Sequence, residues 1–468
     1  MALAWAARPY IFDMPTPLLP RGRRSTLRGA LITTLAATLA ATLLPMSASA
    51  QTPIVFVHGN GDHAGLWDSM IWRFESNGFP ASRLFAVDLP NPSASSTLTA
   101  VELNRSTPEE QTAALAAFVT RVLLTTGAKK VALVGSSRGG MTIRNYVRYG
   151  GGAAHVSHVI TGGTPNHGVF AIPAVQPDGE FNGAGPYLRA LNRGREVVPG
   201  VKYLALRSDS LDKYAQADGA GLGMKGTPTG VDARGPALRG ALNVVLPGTD
   251  HREVAVGPAA FRAQYRFITG RAPTQMDIVA DTVAVLEGMI SGQANASPTN
   301  LPLANAVITV HAVDAATGQR IGAPAYRAVT SHTGRWGPFR ASPTARYEFE
   351  VASPDSTVLL HVFRMPFPRS SRVVNFRFPA PPATRPDSVS VVIVRPRGYL
   401  GFGRDTVEFD GTRAAGIPPG VPTVDRAIRW FGAREPISVR TRVNGETIVV
   451  RTQPGDTRRL VSAEFQRE

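Results

Sequence analysis

The strongest chemical signal in the sequence is a serine in a glycine-flanked turn. The apolar run VALV at 131–134 leads directly into the segment GSSRG at 135–139. This G-x-S-x-G pattern needs a buried strand that turns sharply into a helix, so that the serine hydroxyl projects from the edge of the sheet. Glycines on both sides allow the neighbouring backbone to pass close to the turn. The pattern predicts Ser137, rather than Ser136, as a nucleophile.

A serine hydroxyl needs a general base to take its proton, and in this turn type the base is a histidine that follows the serine in the chain. His251 follows the apolar run 241–246 through the turn PGTD. If that run is a strand of the same sheet as 131–134, its end brings the histidine to the edge that carries Ser137. We therefore expect His251 to be the base.

The base in turn needs a carboxylate that orients its ring. The acid is expected after the apolar run 201–206, in the loop RSDSLDKYAQADG. Asp212 is favoured because it lies a few residues beyond the end of the strand, and Asp209 remains the alternative.

An oxyanion that forms during acyl transfer needs two N–H donors. The backbone of Arg138, directly after the nucleophile, is one expected donor. The backbone of Asn60 is the other, because it lies in the loop HGNGD that follows the strand-like run 54–57. His58 precedes the serine in the chain, so we expect it to brace this loop by hydrogen bonds rather than to act as the base.

The elements that must hold these residues alternate along residues 53–270. Short apolar runs without polar alternation predict buried parallel strands at Ile54–Val57, Arg83–Val87, Lys130–Val134, Val156–Thr161, Val201–Leu206 and Ala241–Leu246. Helices are predicted between them at Ala64–Asn77, Thr107–Thr125, Met141–Tyr149 and Pro258–Thr269. This order predicts an α/β fold with a doubly wound, mostly parallel sheet.

The remainder of the chain has a different pattern of residue types. A final or linker helix is predicted at 274–292, and from about residue 305 onward β-branched runs and turn residues predict an all-β region. Asn444-Gly445 predicts a hairpin turn between two alternating runs. The predicted domains are a catalytic domain at 51–292 with a candidate lid at 170–200, a β-sandwich at 293–378 and a second β unit at 387–468, with Pro379–Pro386 as a linker.

The N-terminal 50 residues have the features of a secretory signal peptide. A basic stretch RGRRSTLRG precedes an apolar core, and Ala48-Ser49-Ala50 fits a small-residue cleavage site. The apolar core is short for a membrane span. We therefore expect export to the periplasm or the extracellular space, by the general or the twin-arginine route.

Composition excludes several classes of site. The chain has 468 residues and no cysteine, which excludes disulfides, zinc-thiolate sites and thiol nucleophiles. Its formal net charge is +16, but no basic run is interleaved with aromatic residues, so nucleic-acid binding is not expected. No H-E-x-x-H metal motif is present, and neither a cofactor nor a catalytic metal is expected. A structural calcium ion in acidic loops such as 405–410 stays open.

Taken together, these residues resemble the lipase branch of the α/β-hydrolase superfamily. HGNGDHAGLW at 58–67 is similar to the oxyanion loop of that branch, and GSSRGG at 135–140 to its nucleophile turn, with Ser136 where histidine is commoner. GTPNHG at 163–168 is similar to a stretch found in bacterial lipases, with Asn166 at the position usually held by histidine.

The downstream half has a resemblance of its own. NAVITVHAVDAATGQRIG, GRWGPF and YEFEV resemble a transthyretin-like or carboxypeptidase-regulatory β-sandwich. A few exported or archaeal lipases similarly join a hydrolase core to a C-terminal β domain thought to bind lipid. Trp336, Phe339, Phe363, Phe367, Trp430 and Phe431 are candidates for a lipid-contacting face, although most are expected in the sandwich core.

The resemblance implies an exported serine hydrolase that cleaves carboxylic esters, a lipase or long-chain esterase with a role in lipid degradation. Its partner would be a lipid or ester substrate, with contact to a lipid surface through the β region. Two alternatives stay open: a depolymerase of aliphatic polyesters such as polyhydroxyalkanoate, and a non-catalytic surface-binding protein.

Overall fold

The computed structural model describes residues 51–294, 297–380, 385, 387–432, 434–453 and 458–466. All of the described residues belong to one compact unit. The predicted signal peptide at 1–50 lies outside the described residues. Across the described ranges, no helix is both long and apolar enough to cross a membrane.

A six-stranded parallel sheet forms the centre of the first half. The strands of this half, in chain order, are β1 Ile54–Val57, β2 Leu84–Val87, β3 Ser93–Ala94, β4 Arg105–Ser106, β5 Val131–Ser136, β6 Val156–Gly162, β7 Lys202–Ser208 and β8 Leu242–Leu246. The sheet has the order β2-β1-β5-β6-β7-β8, and every neighbouring pair is parallel. Each of the six predicted strands is present, so that prediction is confirmed; β3 and β4 form a separate short pair.

Helices cover both faces of this sheet. They are α1 Asp68–Ser76, α2 Pro108–Thr126, α3 Arg138–Tyr149, α4 Pro186–Leu191, α5 Glu253–Val256 and α6 Pro258–Thr269. Ile54 and Phe56 of β1 pack with α1 and α6, whereas Val55 and Val57 pack with α2 and α3. Because successive strand residues point to opposite faces, a strand buried on both sides must be apolar throughout. The doubly wound α/β fold is therefore observed.

The start of α2 shows how the sequence sets a boundary. The Thr107 hydroxyl accepts a hydrogen bond from the Glu110 amide, and the Glu110 carboxylate accepts one from the Thr107 amide. This reciprocal cap, together with Pro108 in the first turn, fixes the N-terminus of α2. That end of the helix lies close to the loops at the edge of the sheet.

The candidate lid at 170–200 is mostly irregular and contains α4. Its apolar side chains Leu188 and Leu191 are buried against Met141 of α3. Its Glu180 carboxylate forms a bidentate pair with the Arg138 guanidinium, with Nε–Oε1 and Nη2–Oε2 distances of 2.6 and 2.7 Å. Both side chains are buried, so the segment is anchored directly to the first residue of α3.

The second half is all-β and has three layers of sheet. Its strands are β9 Ala284–Ala294, β10 Ser297–Pro302, β11 Val307–Val313, β12 Tyr326–Val329, β13 Arg335–Ala341, β14 Arg346–Ala352, β15 Leu359–Arg364, β16 Phe376–Arg377, β17 Ser388–Val394, β18 Val407–Phe409, β19 Thr412–Arg413, β20 Arg426–Gly432, β21 Ser438–Val443, β22 Glu446–Arg451 and β23 Arg459–Glu464. A seven-stranded sheet, β12-β11-β14-β15-β23-β17-β20, packs on one face against the β9 sheet and on the other against β19-β18-β21-β22.

The prediction of a helix at 274–292 is wrong. Strand β9, Ala284–Ala294, occupies its second half and pairs with β10, β13 and β16. Leu286 and Ile290 are both buried, and their spacing of four residues fits a helix as well as alternate positions of a strand. Other strands pair with both edges of β9, and this pairing makes the segment a strand instead of a helix. The local sequence does not reveal that pairing.

Strand β9 also runs across the predicted domain boundary at residue 292. The two predicted β units, 293–378 and 387–468, contribute strands to the same seven-stranded sheet, with β15 of the first paired to β23 of the second. Most of the predicted linker at 379–386 lies outside the described residues. The hairpin prediction is confirmed: Asn444 and Gly445, with φ of 47° and 92°, connect β21 to β22.

Replacing Glu180 by alanine tests the anchor of the candidate lid. The substitution leaves the buried Arg138 charge without its carboxylate, so we expect unfolding free energy to fall by roughly 3–5 kcal/mol. Urea unfolding followed by fluorescence measures the change. The matched control is Glu408→Gln, whose partner Arg442 lies 3.7 Å away with both side chains partly exposed; a change within about 0.5 kcal/mol is expected there. Equal effects of the two variants would contradict the anchor.

Candidate active site

Ser137 lies in a strained turn between β5 and α3. Its φ of 51° and ψ of −122° are rarely adopted by a residue with a side chain. The amide of Ser137 donates to the carbonyl of Gly162 at the end of β6, with an N–O distance of 2.9 Å. Ser137 is partly exposed, whereas Ser136 belongs to β5 and is buried. The conformation therefore presents one of the two serines at the sheet edge.

Two glycines make this turn possible. A methyl group on Gly135 would lie 2.6 Å from the amide nitrogen of Gly140, and one on Gly139 would lie 2.4 Å from the carbonyl oxygens of Val57 and His58. Side chains cannot approach backbone atoms this closely without displacing them. Gly139 therefore allows α3 to pack directly on β1 and on the loop that follows it, and Gly135 allows α3 to pack directly on β5.

The structure brings His251 and Asp212 together. The His251 Nδ1 lies 2.8 and 3.0 Å from the two Asp212 carboxylate oxygens, and both residues are buried. Asp212 also accepts a hydrogen bond of 2.8 Å from the Tyr214 amide, and the Tyr214 ring packs edge-on to the imidazole at 4.5 Å. Asp209, the alternative acid, instead accepts a hydrogen bond of 2.8 Å from the Gly248 amide.

The end of β6 connects the serine turn with the histidine loop. Gly162 accepts the hydrogen bond from Ser137, and the adjacent Gly163 lies against His251. A methyl group on Gly163 would lie 2.7 Å from the His251 carbonyl oxygen and 3.3 Å from Nδ1. One short backbone segment thus contacts both candidate catalytic residues.

The loop after β1 lies beside the serine. A methyl group on Gly59 would lie 3.1 Å from the Ser137 Cβ. Asn60 is fixed by its side-chain oxygen, which accepts a hydrogen bond of 2.8 Å from the Ala94 amide. Arg138 occupies the first position of α3, where a backbone N–H has no partner within the helix. The two predicted oxyanion donors therefore flank the nucleophile turn.

His58 braces this loop from beneath. Its Nδ1 lies 2.9 Å from the Gly59 carbonyl, and its Nε2 lies 3.1 Å from the amide nitrogen of Leu89. A neutral ring that donates from Nδ1 and accepts at Nε2 satisfies both contacts. Burial lowers the pKa of His58, which favours this neutral form.

Sequence reasoning assigned only a backbone role to Arg138, and the structure adds one for its side chain. Besides the Glu180 pair, the guanidinium donates to the carbonyls of Pro92 and Ser106 at 3.0 and 2.6 Å. The sequence does offer one signal for this role, which is an arginine among the small residues of the turn. If the guanidinium is buried together with the turn, it needs a carboxylate partner. The identity of that partner was not visible in the sequence.

A cavity of about 490 Å³ lies between the loop after β1 and the β region. Asp62 of the loop and Arg252 next to His251 line one side of it. Leu360, Val362 and Ile428 of the seven-stranded sheet line the other side. The same sheet also contributes the charged side chains Arg364, Arg426 and Glu464, and neither Ser137 nor His251 lines the cavity.

Among the described residues, Glu348, Glu350 and His361 form a group that could hold a metal ion. The Arg320 guanidinium already pairs with the two glutamates at 2.8 and 2.6 Å. Although burial alone would raise it, hydrogen bonds from Arg320 and His361 lower the pKa of Glu348 to about 2. The negative charge of the group is therefore already compensated by protein.

Most of the aromatic residues considered for a lipid-contacting face are in the core. Trp336, Phe339, Phe363 and Phe367 are buried, as expected for a sandwich core.

Comparison with known proteins supports the same two-part organisation. Residues 52–180 match the family model of the α/β hydrolase fold, and residues 286–381 match that of the lipase C-terminal domain. Curated protein sequences gave no match.

The solved structures that are similar to this chain include three lipase structures. A Bacillus licheniformis lipase in its mature form is 21% identical, with 48% of this chain and 95% of that chain covered and a TM-score of 0.37. Its propeptide form is 15% identical, with 87% and 94% covered and a TM-score of 0.36. Aspergillus fumigatus lipase B is 17% identical, with 48% and 54% covered and a TM-score of 0.33.

The observed parallel sheet, with helices on both of its faces, and the β region after it agree with the two family models. The chain has an α/β-hydrolase fold followed by a C-terminal all-β region, and it resembles lipases of that superfamily that carry a C-terminal domain.

Proposed function

We propose that this protein hydrolyses carboxylic esters with Ser137 as the nucleophile, His251 as the general base and Asp212 as the orienting acid. The observation that carries the proposal is the contact of 2.8 Å between His251 Nδ1 and Asp212. It leaves Nε2 of the same ring available to take the serine proton. The strained turn at Ser137 and the shared contact with β6 support the same assignment.

In this mechanism, the Ser137 hydroxyl attacks the ester carbonyl while its proton passes to His251. The amides of Asn60 and Arg138 stabilise the negative oxygen of the tetrahedral intermediate. His251 then returns the proton to the leaving alcohol, and an acyl-enzyme forms. Water activated by the same imidazole releases the acid, while the Asp212 carboxylate stabilises the charged ring.

We further propose that the substrate is a lipid or another ester with a long acyl chain. The match of residues 286–381 to the family model of the lipase C-terminal domain supports this substrate class. The buried packing of the candidate lid on α3 supports a covered site. A polyester depolymerase would use the same three residues, and substrate tests separate the two.

We also propose that the enzyme acts outside the cytoplasm. The support for this is the signal-like sequence of residues 1–50, where five arginines and one aspartate precede an apolar core.

Hydrolysis of p-nitrophenyl esters across a range of acyl lengths tests the nucleophile and the substrate class together. We expect activity that rises with chain length and falls by more than about 10³-fold in Ser137→Ala, because the attacking oxygen is lost. Ser136→Ala is the matched control and should retain activity, since Ser136 is buried in β5.

A short-chain optimum that depends on Ser137 would retain the mechanism and reject the long-chain substrate. Hydrolysis of solid polyhydroxyalkanoate in preference to the long-chain esters would instead favour the depolymerase. If folded protein turns over no ester, the proposed function is rejected and a binding role gains support.

The neighbouring acids give a second test. Asp212→Asn should lower kcat by about 10⁴-fold, because an amide neither fixes the productive tautomer nor stabilises the imidazolium. Asp209→Asn should change kcat little, since its amide oxygen can still accept from the Gly248 amide. Steady-state kinetics on one soluble ester measures both variants, and the reverse order of effects would assign the acid to Asp209.

A further inference from the structure

The loop that carries the oxyanion donor is held by two residues of the β region. The Arg377 guanidinium donates to the carbonyls of Gly61 and Asp62 at 2.6 and 2.9 Å. The Asn300 amide donates to the carbonyl of Asp62 at 3.0 Å and to that of Leu89 at 2.9 Å. These contacts fix the loop backbone from outside the hydrolase sheet.

The histidine loop begins on a weakly held element. β8 is the last strand of the sheet, pairs only with β7 among the described strands, and leaves Leu242 and Val245 more than half exposed. The helix α5 that follows the loop has only four residues. The edge strand before the loop offers few packing contacts for placing a side chain within a fraction of an ångström, whereas Val254, Ala255 and Val256 of α5 are buried in the core.

The β region supplies contacts to the residue directly before His251. One carboxylate oxygen of Asp250 accepts from the amides of Arg252 and Glu253 at 2.8 and 3.0 Å. Its other oxygen accepts from the Tyr399 amide at 2.6 Å and the Arg404 guanidinium at 3.1 Å. Asp250 is fully buried, so its charge depends on these donors.

The residue directly after His251 joins all three parts of the site. The Arg252 guanidinium pairs with Asp62 at 2.9 Å and with Asp425 of the β region at 3.2 Å, and it lies 4.7 Å from the centre of the Tyr399 ring. Burial alone would lower the pKa of Arg252, but Asp62, Tyr399 and Asp425 raise it above its usual range. The arginine therefore stays charged and bridges the oxyanion loop, the histidine loop and the β region.

We propose that the β region positions the catalytic loops, with Asp425 acting on His251 through Arg252. The inference rests on the proposed function, because it assigns to Asp425 an effect on the roles of His251 and of the oxyanion loop. Asp425 is a positioning residue and is not assigned any contact with substrate. In this view the β region forms part of the catalytic apparatus.

The substitution that tests the proposal is Asp425→Asn, which keeps the shape of the side chain and removes its charge. The matched control is Glu75→Gln, because Glu75 of α1 also pairs with a β-region residue, Arg369, at 3.1 Å but belongs to neither catalytic loop. Full-length protein is assayed on soluble p-nitrophenyl acetate, so that contact with a lipid surface plays no part. Hydrogen–deuterium exchange of segments 58–63 and 248–256 measures the loops directly.

We expect Asp425→Asn to lower kcat about tenfold or more, because small misplacements of a catalytic group are costly. His251 acts in both acylation and deacylation, so kcat falls whichever step limits turnover, while KM stays within about twofold. Exchange should rise in segment 248–256, and Asp425→Glu should recover part of kcat. The control should alter neither kcat nor the exchange of the two loops.

Unchanged kcat and unchanged exchange in Asp425→Asn would overturn the proposal, as would equal losses in Glu75→Gln. If Asp425→Asn fails to fold, Tyr399→Leu replaces it, since it removes the ring beside Arg252 and keeps the backbone amide that binds Asp250. If the wild type shows no Ser137-dependent hydrolysis, the proposed function fails, and the exchange measurement still decides whether Asp425 holds the histidine loop.

Discussion

The positive-φ turn at Ser137 is the constraint on which the arrangement of the site depends. Such a backbone conformation costs on the order of 1–3 kcal/mol and persists only where the surrounding packing over-determines it. That packing comes from the absence of side chains at Gly135 and Gly139, which lets α3 lie directly on β5 and on β1. The loop after β1 also lies beside the serine. One local requirement therefore fixes both the proposed nucleophile and the loop that carries one of the proposed oxyanion donors.

Buried arginines that pair with carboxylates are a second recurring feature of the molecule. Arg138, Arg364 and Arg395 each pair with a carboxylate while their side chains are at most 7% exposed. A guanidinium suits such places because its planar fork binds both oxygens of a carboxylate and stays charged when buried. Some of the arginines are therefore used inside the protein to tie one element to another, and because each is paired with a carboxylate they do not contribute to the net charge of +16.

Much of the hydrolase half could be predicted from the sequence, because its determinants are local. Apolar runs located the six strands, and the glycines around Ser137 marked the turn. The helix predicted at 274–292 failed because the spacing of Leu286 and Ile290 fits two periods, and the strand partners that decide between them are remote in the chain. The sharing of one sheet by the two β units was hidden for the same reason.

The serine and the histidine differ in how their positions are encoded. The serine turn is determined by glycines within a few residues, so it is visible as a motif. The histidine follows an edge strand, and its neighbours Asp250 and Arg252 are bound by Tyr399 and Asp425, which lie about 150 to 170 residues further along the chain. No spacing rule connects such residues. Because the proposed acyl transfer needs the serine hydroxyl and the imidazole in a fixed relative position, we infer that the precision of the site depends on contacts that the folded β region supplies.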